Sequence, residues 1–333
     1  GLSAGVRRCT GQELELVVLF DGAVSPDSLK LMLGELQLAW AQRGVELVQV
    51  DTLSGSRKVL ARAPRDNCSL ALDEKKQARF AVCSDARDAS GQYDQVTELH
   101  RLGDDGKWTL VNSSKSGGFD LRVLGTTDDG TIYASRSDRK SPSAFGTLDR
   151  QTGEFTELFR DPVSQVEGWL QSPVDDTVFG VVTQAGAPKV HMIDEEHADA
   201  QLYLSLAGAF PGQYVNFSSA TRDGQKIIVS VSSDRNPGEL YLFDRGTGQA
   251  RFLMKNRNWM DTTRSASVRP FAFKARDGLE IHGYLTLPHG VDPKNLPMIV
   301  NPHGGPMGVR DDWGYNWETQ LLASRGYAVL LVN

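Results

Sequence analysis

The sequence predicts a mainly β fold, a β-propeller of four-stranded blades followed by the start of an α/β domain. Three observations lead there. Two turn motifs recur in phase along the chain as far as Met254. Each repeat contains four short runs of β-type residues. After Met254 the order changes to strand, glycine loop, helix and strand.

The first motif is an Asp- or Gly-containing turn between two strand-like runs: "VDTLSGSRKVL", "LGDDGKWTLV", "LDRQTGEFTEL", "IDEEHADAQLYL" and "FDRGTGQARFL". With Asp51, Asp104, Asp149, Asp194 and Asp244 as markers, the intervals are 53, 45, 45 and 50 residues, the spacing of propeller blades. The second motif lies earlier in each unit, in "SPDSLKLML", "LDEKKQARFAV", "DDGTIYASR", "VDDTVFGVV" and "RDGQKIIVSV". From Asp73 through Asp129 and Asp176 to Asp223 its intervals are 56, 47 and 47, in step with the first.

Within each unit, four runs rich in Val, Ile, Leu, Tyr and Phe are separated by Gly, Asp, Asn and Ser, the pattern of a four-stranded antiparallel sheet. Asp and Asn tolerate unusual backbone angles and Gly supplies positive φ at a hairpin. One such sheet cannot bury both faces alone, whereas radial stacking about an axis buries them. This reading places five units at 14–60, 68–111, 120–159, 166–206 and 214–254, in a propeller domain spanning 1–262. In the first unit "SPDSLKLMLGELQLAW" also fits a helix, with Pro26 after a Ser25 cap and Leu29, Met32, Leu33, Leu36 and Trp40 at helical spacing. Leu29, Leu31 and Leu33 alternate as well, and the repeat phase decides for a strand.

A chain of 333 residues accommodates about two domains. Hydrophobic residues at 40% and charged residues at 23% give the composition of an ordinary globular protein, and no run approaches the ~18–20 apolar residues of a membrane span. The opening "GLSAGVRRCTG" lacks the apolar core of a signal peptide, which leaves open a signal removed earlier. The net charge of −6 comes from scattered carboxylates with no basic tract, which argues against a nucleic-acid partner. Cys9, Cys68 and Cys83 form no CxxC pair and cannot all be bridged within the chain, which inclines the reading toward a reducing compartment, cytoplasm over periplasm. The densest acidic cluster around a histidine, "DEEHADA" at 194–200, reads as a charged exposed turn, and no metal is expected.

Beyond Met254 the hairpin rhythm stops in the polar connector "KNRNWMDTTRSASVRP", which sets a boundary near Thr262 and a second domain over 263–333. "RPFAFKARDGLEIHGYLTLP" reads as two strands about a turn at Asp277 and Gly278. "NLPMIVNPHGGP" reads as an apolar strand running into a glycine turn. Asn316 suits the cap of a helix beginning at Trp317, with Trp317, Leu321 and Leu322 as its apolar face and Gly326 as its stop. "YAVLLVN" reads as a fully buried strand, so the order is a βαβ crossover, the unit of a parallel sheet.

Together, the propeller repeat, "FKARDGLEIHGYLTLP" and "IVNPHGGPMG...W...LLASRGYAVLLVN" resemble the prolyl oligopeptidase family of serine peptidases, in its acylaminoacyl-peptidase and dipeptidyl-peptidase-like branch. The resemblance covers essentially the whole chain and is specific at His303 to Pro306 and the helix and strand that follow. It implies an α/β-hydrolase domain with a Ser, Asp and His triad, a covering propeller of seven or eight blades, short peptides as substrates and no cofactor. By the same resemblance, Gly305 donates its main-chain N–H to the developing oxyanion, His303 braces the loop, Gly304 lets the backbone approach closely and Pro306 stiffens the exit.

A G-x-S-x-G elbow needs a strand before it and a helix after it. The match "GLSAG" at residues 1–5 has no strand before it, so Ser3 is set aside as nucleophile, and no acid or base of a triad is placed in the chain. The resemblance puts the elbow one helix and strand beyond Asn333; with five blades read and seven or eight implied, either about two blades precede Gly1 or weak units escape the repeat, and the favoured reading is an internal segment, inactive alone, whose partner is the remainder of the hydrolase domain. Without it, Val329–Val332 and Ile299–Val300 are expected to lack covering layers, favouring self-association.

Two functions from different classes fit. One is the propeller and oxyanion-loop segment of a serine exopeptidase or oligopeptidase, with the propeller as a size filter. The alternative is a non-catalytic propeller that binds a peptide or protein. Capture of a substrate amine would need a pair of carboxylates in a cavity, with Glu167, Glu195 and Glu239 among many candidates.

Overall fold

The structure, a computed structural model, describes residues 6–10, 13–17, 30–35, 45–51, 53–84, 96–138, 140–305 and 309–333, with side chains from residue 45 onward. Two compact units divide the chain, Gly1–Pro162 and Val163–Asn333. The Ser3 motif, the proposed Ser25 cap and Pro306 lie outside the described residues.

In the first unit, β1 (Val6–Thr10) pairs antiparallel with β2 (Glu13–Val17). A three-stranded sheet follows, of β3 (Lys30–Glu35), β4 (Glu46–Asp51) and β5 (Arg57–Arg62), so the ambiguous leucine-rich segment is a strand at Leu31–Leu33. Two four-stranded meanders come next. The first is β6 (Cys68–Leu72), β7 (Ala78–Ser84), β8 (Thr97–Leu102) and β9 (Trp108–Ser113). After the short helix α1 (Ser114–Gly117), the second is β10 (Asp120–Thr126), β11 (Ile132–Ser137), β12 (Ala144–Leu148) and β13 (Phe155–Phe159). Phe80 and Leu99 of one meander and Leu121, Ile132, Ala134 and Leu148 of the next form one core cluster, so consecutive sheets bury each other's faces.

Most marker aspartates sit in turns that their own carboxylates make, whereas at Asp104 and Asp176 the neighbouring Asp105 and Asp175 accept from the turn N–H groups instead, and Asp194 leads into a helix. Asp149 accepts from the N–H groups of Gln151 (2.9 Å) and Thr152 (2.7 Å), Asp244 from Gly246 (2.9 Å) and Thr247 (3.2 Å), and Asp73 from Lys75 (2.9 Å) and Gln77 (2.8 Å). Each side chain mimics a turn of backbone, which explains the preference for Asp there. In the two "DRxTG" turns the following Arg reaches the preceding repeat. Arg150 binds Asp73 (2.9 Å) and Glu74 (3.0 Å), and Arg245 pairs with the buried Asp199.

Cys68 and Cys83 face each other across β6 and β7 and are disulfide-bonded. Register opposition across a hairpin brings together two residues that spacing alone does not relate, a pairing the cysteine count does not anticipate.

The second unit opens with a three-stranded sheet, β14 (Val166–Gln171), β15 (Val178–Thr183) and β16 (Lys189–Met192), followed by α2 (Ala198–Ala209). Here the expected fourth strand is a helix. The run "ADAQLYLSLAGA" is rich in helix formers, His197 caps it by accepting from the Asp199 N–H (3.1 Å), and Ala200, Tyr203 and Leu206 recur three apart on its buried side. That side packs with Phe179 and with Val215, Ile227, Val229 and Val231 of the next sheet, so α2 completes the layer a strand would have filled. This sheet is β17 (Tyr214–Ala220), β18 (Lys226–Ser232), β19 (Glu239–Asp244) and β20 (Gln249–Lys255), a four-stranded meander as expected.

The last sheet has the order β21 (Ser267–Lys274), β22 (Glu280–Leu287), β24 (Ala328–Val332), β23 (Met298–Val300), with α3 (Trp317–Ser324) between the last two strands in sequence. β23 and β24 are parallel and β21 and β22 antiparallel. Asn316 caps α3, accepting from Glu318 N–H (2.9 Å) and Thr319 N–H (3.2 Å), and Gly326 follows with φ 92°. The buried face of α3 is Thr319, Gln320 and Ala323, while Trp317 and Leu321 are 60% and 50% exposed, the reverse of the expected apolar face. The reason is that Gln320 exchanges hydrogen bonds with Ala266, accepting from its N–H (2.8 Å) and donating to its carbonyl (2.9 Å), and also donates to the Asp234 carbonyl (3.0 Å). In the terminal strands Val329 and Leu331 are buried, whereas Met298 and Val300 of the edge strand are more than half exposed.

Candidate functional site

Parallel strands present their carboxyl ends on one side, the usual position of a binding crevice in an open α/β sheet. Here β23 ends into the loop Asn301–Gly305 and β24 ends at Val332, tied by the Asn301 N–H donating to the Leu330 carbonyl (2.9 Å). His303 Nδ1 lies 2.7 Å from the Gly304 carbonyl, which fixes the proton on Nδ1 and holds the imidazole against its own loop. Gly304 and Gly305 are exposed, and a Cβ at Gly304 would meet nothing within 4 Å. Among the described residues, nothing accepts from the Gly305 N–H. The three residues named from the sequence are therefore brought together in one exposed loop at the mouth of the parallel pair.

The chain beyond this loop supplies contacts that motif reading passed over. Arg310 donates to the Gln184 carbonyl (2.8 Å) and pairs with Glu167 (3.3 Å) and Asp312 (3.3 Å). Gln184 donates to the Trp313 carbonyl (3.1 Å), and the Trp313 indole to the Val268 carbonyl (3.2 Å). Asp311 and Asn333 exchange two bonds, Asp311 N–H to Asn333 Oδ1 (2.7 Å) and Asn333 Nδ2 to the Asp311 carbonyl (2.9 Å). Burial pushes the Asp311 carboxyl up, opposed by the neighbouring His303. The residues stand in the run "RDDWGYN" at 310–316, which carries three charged and two aromatic side chains.

A cleft of about 410 Å³ lies beside this segment, walled by Glu167, Val182, Tyr214, Ser233, Trp313 and Tyr315 among others. Of the three carboxylates named from the sequence, Glu167 lines it. Glu239 is engaged elsewhere, accepting from the Tyr241 hydroxyl (2.7 Å) and pairing with Lys255 (3.2 Å), and Glu195 precedes α2, where its carbonyl accepts from Gln201. In the "DEEHADA" turn Asp194 caps local N–H groups, and among the described residues no cluster of His, Cys, Asp and Glu gathers as metal ligands.

No family model matches the sequence. Dipeptidyl aminopeptidase BIII of Pseudoxanthomonas mexicana is 27% identical over 304 residues, 86% of this chain and 42% of that protein. The chain is a relative of the prolyl oligopeptidase family of peptidases. Dipeptidyl peptidase family member 6 of Caenorhabditis elegans is 29% identical over 223 residues, 61% of this chain and 30% of that protein. This prolyl oligopeptidase relative thus spans less than half the length of those two proteins. Among solved structures, puromycin hydrolase aligns over 99% of this chain and 57% of its own, with TM-score 0.59 and 20% identity. Prolyl oligopeptidase B from Galerina marginata aligns over 92% of this chain and 44% of its own, with TM-score 0.59 and 9% identity. At these identities the likeness is one of fold, and the successive antiparallel sheets match the propeller region of the family.

Proposed function

We propose that this chain is the propeller and oxyanion-loop segment of a serine exopeptidase or oligopeptidase that cleaves short peptides through an acyl-enzyme. The observation that carries the reading is the exposed His303–Gly305 loop at the carboxyl end of a parallel strand pair, with no acceptor for the Gly305 N–H among the described residues. In this reading the propeller spans 1–262 and the catalytic domain begins at 263. A serine beyond this segment attacks the peptide carbonyl, negative charge gathers on its oxygen, and the Gly305 N–H donates to that oxygen. His303 holds the loop through its bond to Gly304. The propeller admits short peptides and excludes folded proteins.

The test is turnover of aminoacyl, dipeptidyl and acyl-peptide chromogenic substrates by the intact protein, followed by treatment with a serine-directed phosphonate. Turnover abolished by stoichiometric phosphonylation is expected, with residues 1–333 alone inert. An intact protein that neither cleaves these substrates nor takes up the phosphonate leaves the non-catalytic peptide-binding propeller as the reading.

A further inference from the structure

The segment "SASVR" alternates. Ala266 and Val268 are buried on one side of the chain at the start of β21, which leaves Ser265, Ser267 and Arg269 sharing the other side. That side forms one wall of a pocket of about 190 Å³, closed by Arg235 from the loop between β18 and β19 and by the Leu287–Pro293 turn, which contributes His289. No carboxylate lines it. Two of its polar atoms are buried without a hydrogen-bond partner among the described residues, Arg235 Nε and Ser265 Oγ, and Ser265 as a whole is 6% exposed. The remainder of the Arg235 guanidinium is anchored, Nη2 donating to the Thr263 carbonyl (2.9 Å).

Asp292 sits in the closing turn between the lining residues Val291 and Pro293 without itself lining the pocket, and two other nearby carboxylates are engaged elsewhere. Asp234 accepts from the Val268 N–H (2.8 Å), and Asp261 caps its own turn by accepting from the Thr263 hydroxyl and N–H (2.6 and 3.1 Å). A buried donor left unpaired is costly, and an Arg, a second Arg and a hydroxyl converging on one space free of acids form the arrangement that recognises oxygens carrying negative charge. We propose that this pocket binds a small oxyanion, a phosphate or carboxylate group, to which Arg235 Nε–H and the Ser265 hydroxyl donate at the floor and Arg269 at the rim. An anion there ties the β18–β19 loop to the first strand of the C-terminal sheet. The proposal is independent of the peptidase reading, since no residue of the His303–Gly305 loop takes part.

Calorimetric titration of the intact protein with inorganic phosphate, at ionic strength held constant with chloride, is expected to show saturable one-to-one binding. Arg269→Gln, an exposed position, should weaken it about tenfold, and Ser265→Ala severalfold, with folding checked by an unchanged circular dichroism spectrum. A parallel titration with one tripeptide as free acid and as amide separates the sources. Binding of phosphate alone assigns a tetrahedral anion, and binding of the acid but not the amide assigns a peptide carboxylate. Absence of saturable binding by both phosphate and the peptide acid overturns the proposal, as does binding by folded Arg269→Gln equal to that of the unsubstituted protein.

Discussion

Replacing Arg150 with Met keeps the aliphatic stem and removes the guanidinium that joins the turn after β12 to the turn after β6. Three bonds go, one to Asp73 and two to Glu74 (3.0 and 3.1 Å). Glu74 remains 18% exposed, so water replaces much of what it loses, while the Asp73 side chain is wholly buried. Asp73 keeps Arg79 (2.7 Å) and the N–H groups of Lys75 and Gln77, so the variant weakens this charge without orphaning it. One lost bond to a buried charge costs about 2 kcal/mol, roughly a thirtyfold rise in the opening equilibrium. Amide hydrogen exchange at Phe80 and Leu99, in the core beneath the network, reads that opening. Burial raises the Asp73 carboxyl, but the Gln77 N–H, Arg79 and the Lys75 N–H together hold it below the ordinary carboxylate value. A folded-state value below the unfolded one gives stability that is full above about pH 4 and is lost as pH falls through the folded value. The gap between Arg150→Met and the unsubstituted protein should therefore be complete at neutral pH and close in acid. A gap below about 0.5 kcal/mol at neutral pH, or one that stays constant into acid, refutes the clamp.

Two further substitutions probe the second unit. Gly283 lies in β22, where a Cβ would stand 2.7 Å from the Phe271 ring and against the Leu331 carbonyl oxygen. Gly283→Ala should cost about 1–3 kcal/mol through overpacking, seen as a lowered thermal midpoint, and an unchanged midpoint would mean the strands are looser than described. The Tyr241 phenol is pushed up to about 12 by burial and by the Glu239 carboxylate that accepts its proton. Its contribution to stability is present below the unfolded value of about 10 and is lost as pH rises toward the folded one. Glu239→Gln should bring the phenol down, read from tyrosinate absorbance against pH, and a profile identical in both proteins contradicts the pairing.

The strands were legible because their turns are chemical. Asp73, Asp149 and Asp244 each cap their own backbone, so a side chain visible in the sequence marks a hairpin. The βαβ order was legible from Asn316, Gly326 and the apolar runs on either side. What escaped depends on neighbours distant in sequence. Residues 198–209 satisfy the repeat phase but are helical, because Ala200, Tyr203 and Leu206 find a ready apolar surface on the next sheet. The inner face of α3 was misread because Gln320 binds the backbone of Ala266 and Asp234, 54 and 86 residues away, a partnership no periodicity shows. Cys68 and Cys83 meet through strand register. Glycine and histidine at 303–305 could be read as a loop from their order alone. The Arg310, Asp311 and Asn333 contacts that flank it could not, since each needs a partner from another strand.

The central claim is that the Gly305 N–H stabilises charge formed during peptide cleavage, and the direct measurement is kcat/KM of the intact protein beside Gly305→Pro and Gly305→Ala. Proline removes the donor and alanine keeps it. A loss of about 10²- to 10³-fold is expected for Gly305→Pro, carried by kcat, with near-normal turnover for Gly305→Ala. Turnover by Gly305→Pro equal to that of Gly305→Ala would contradict it.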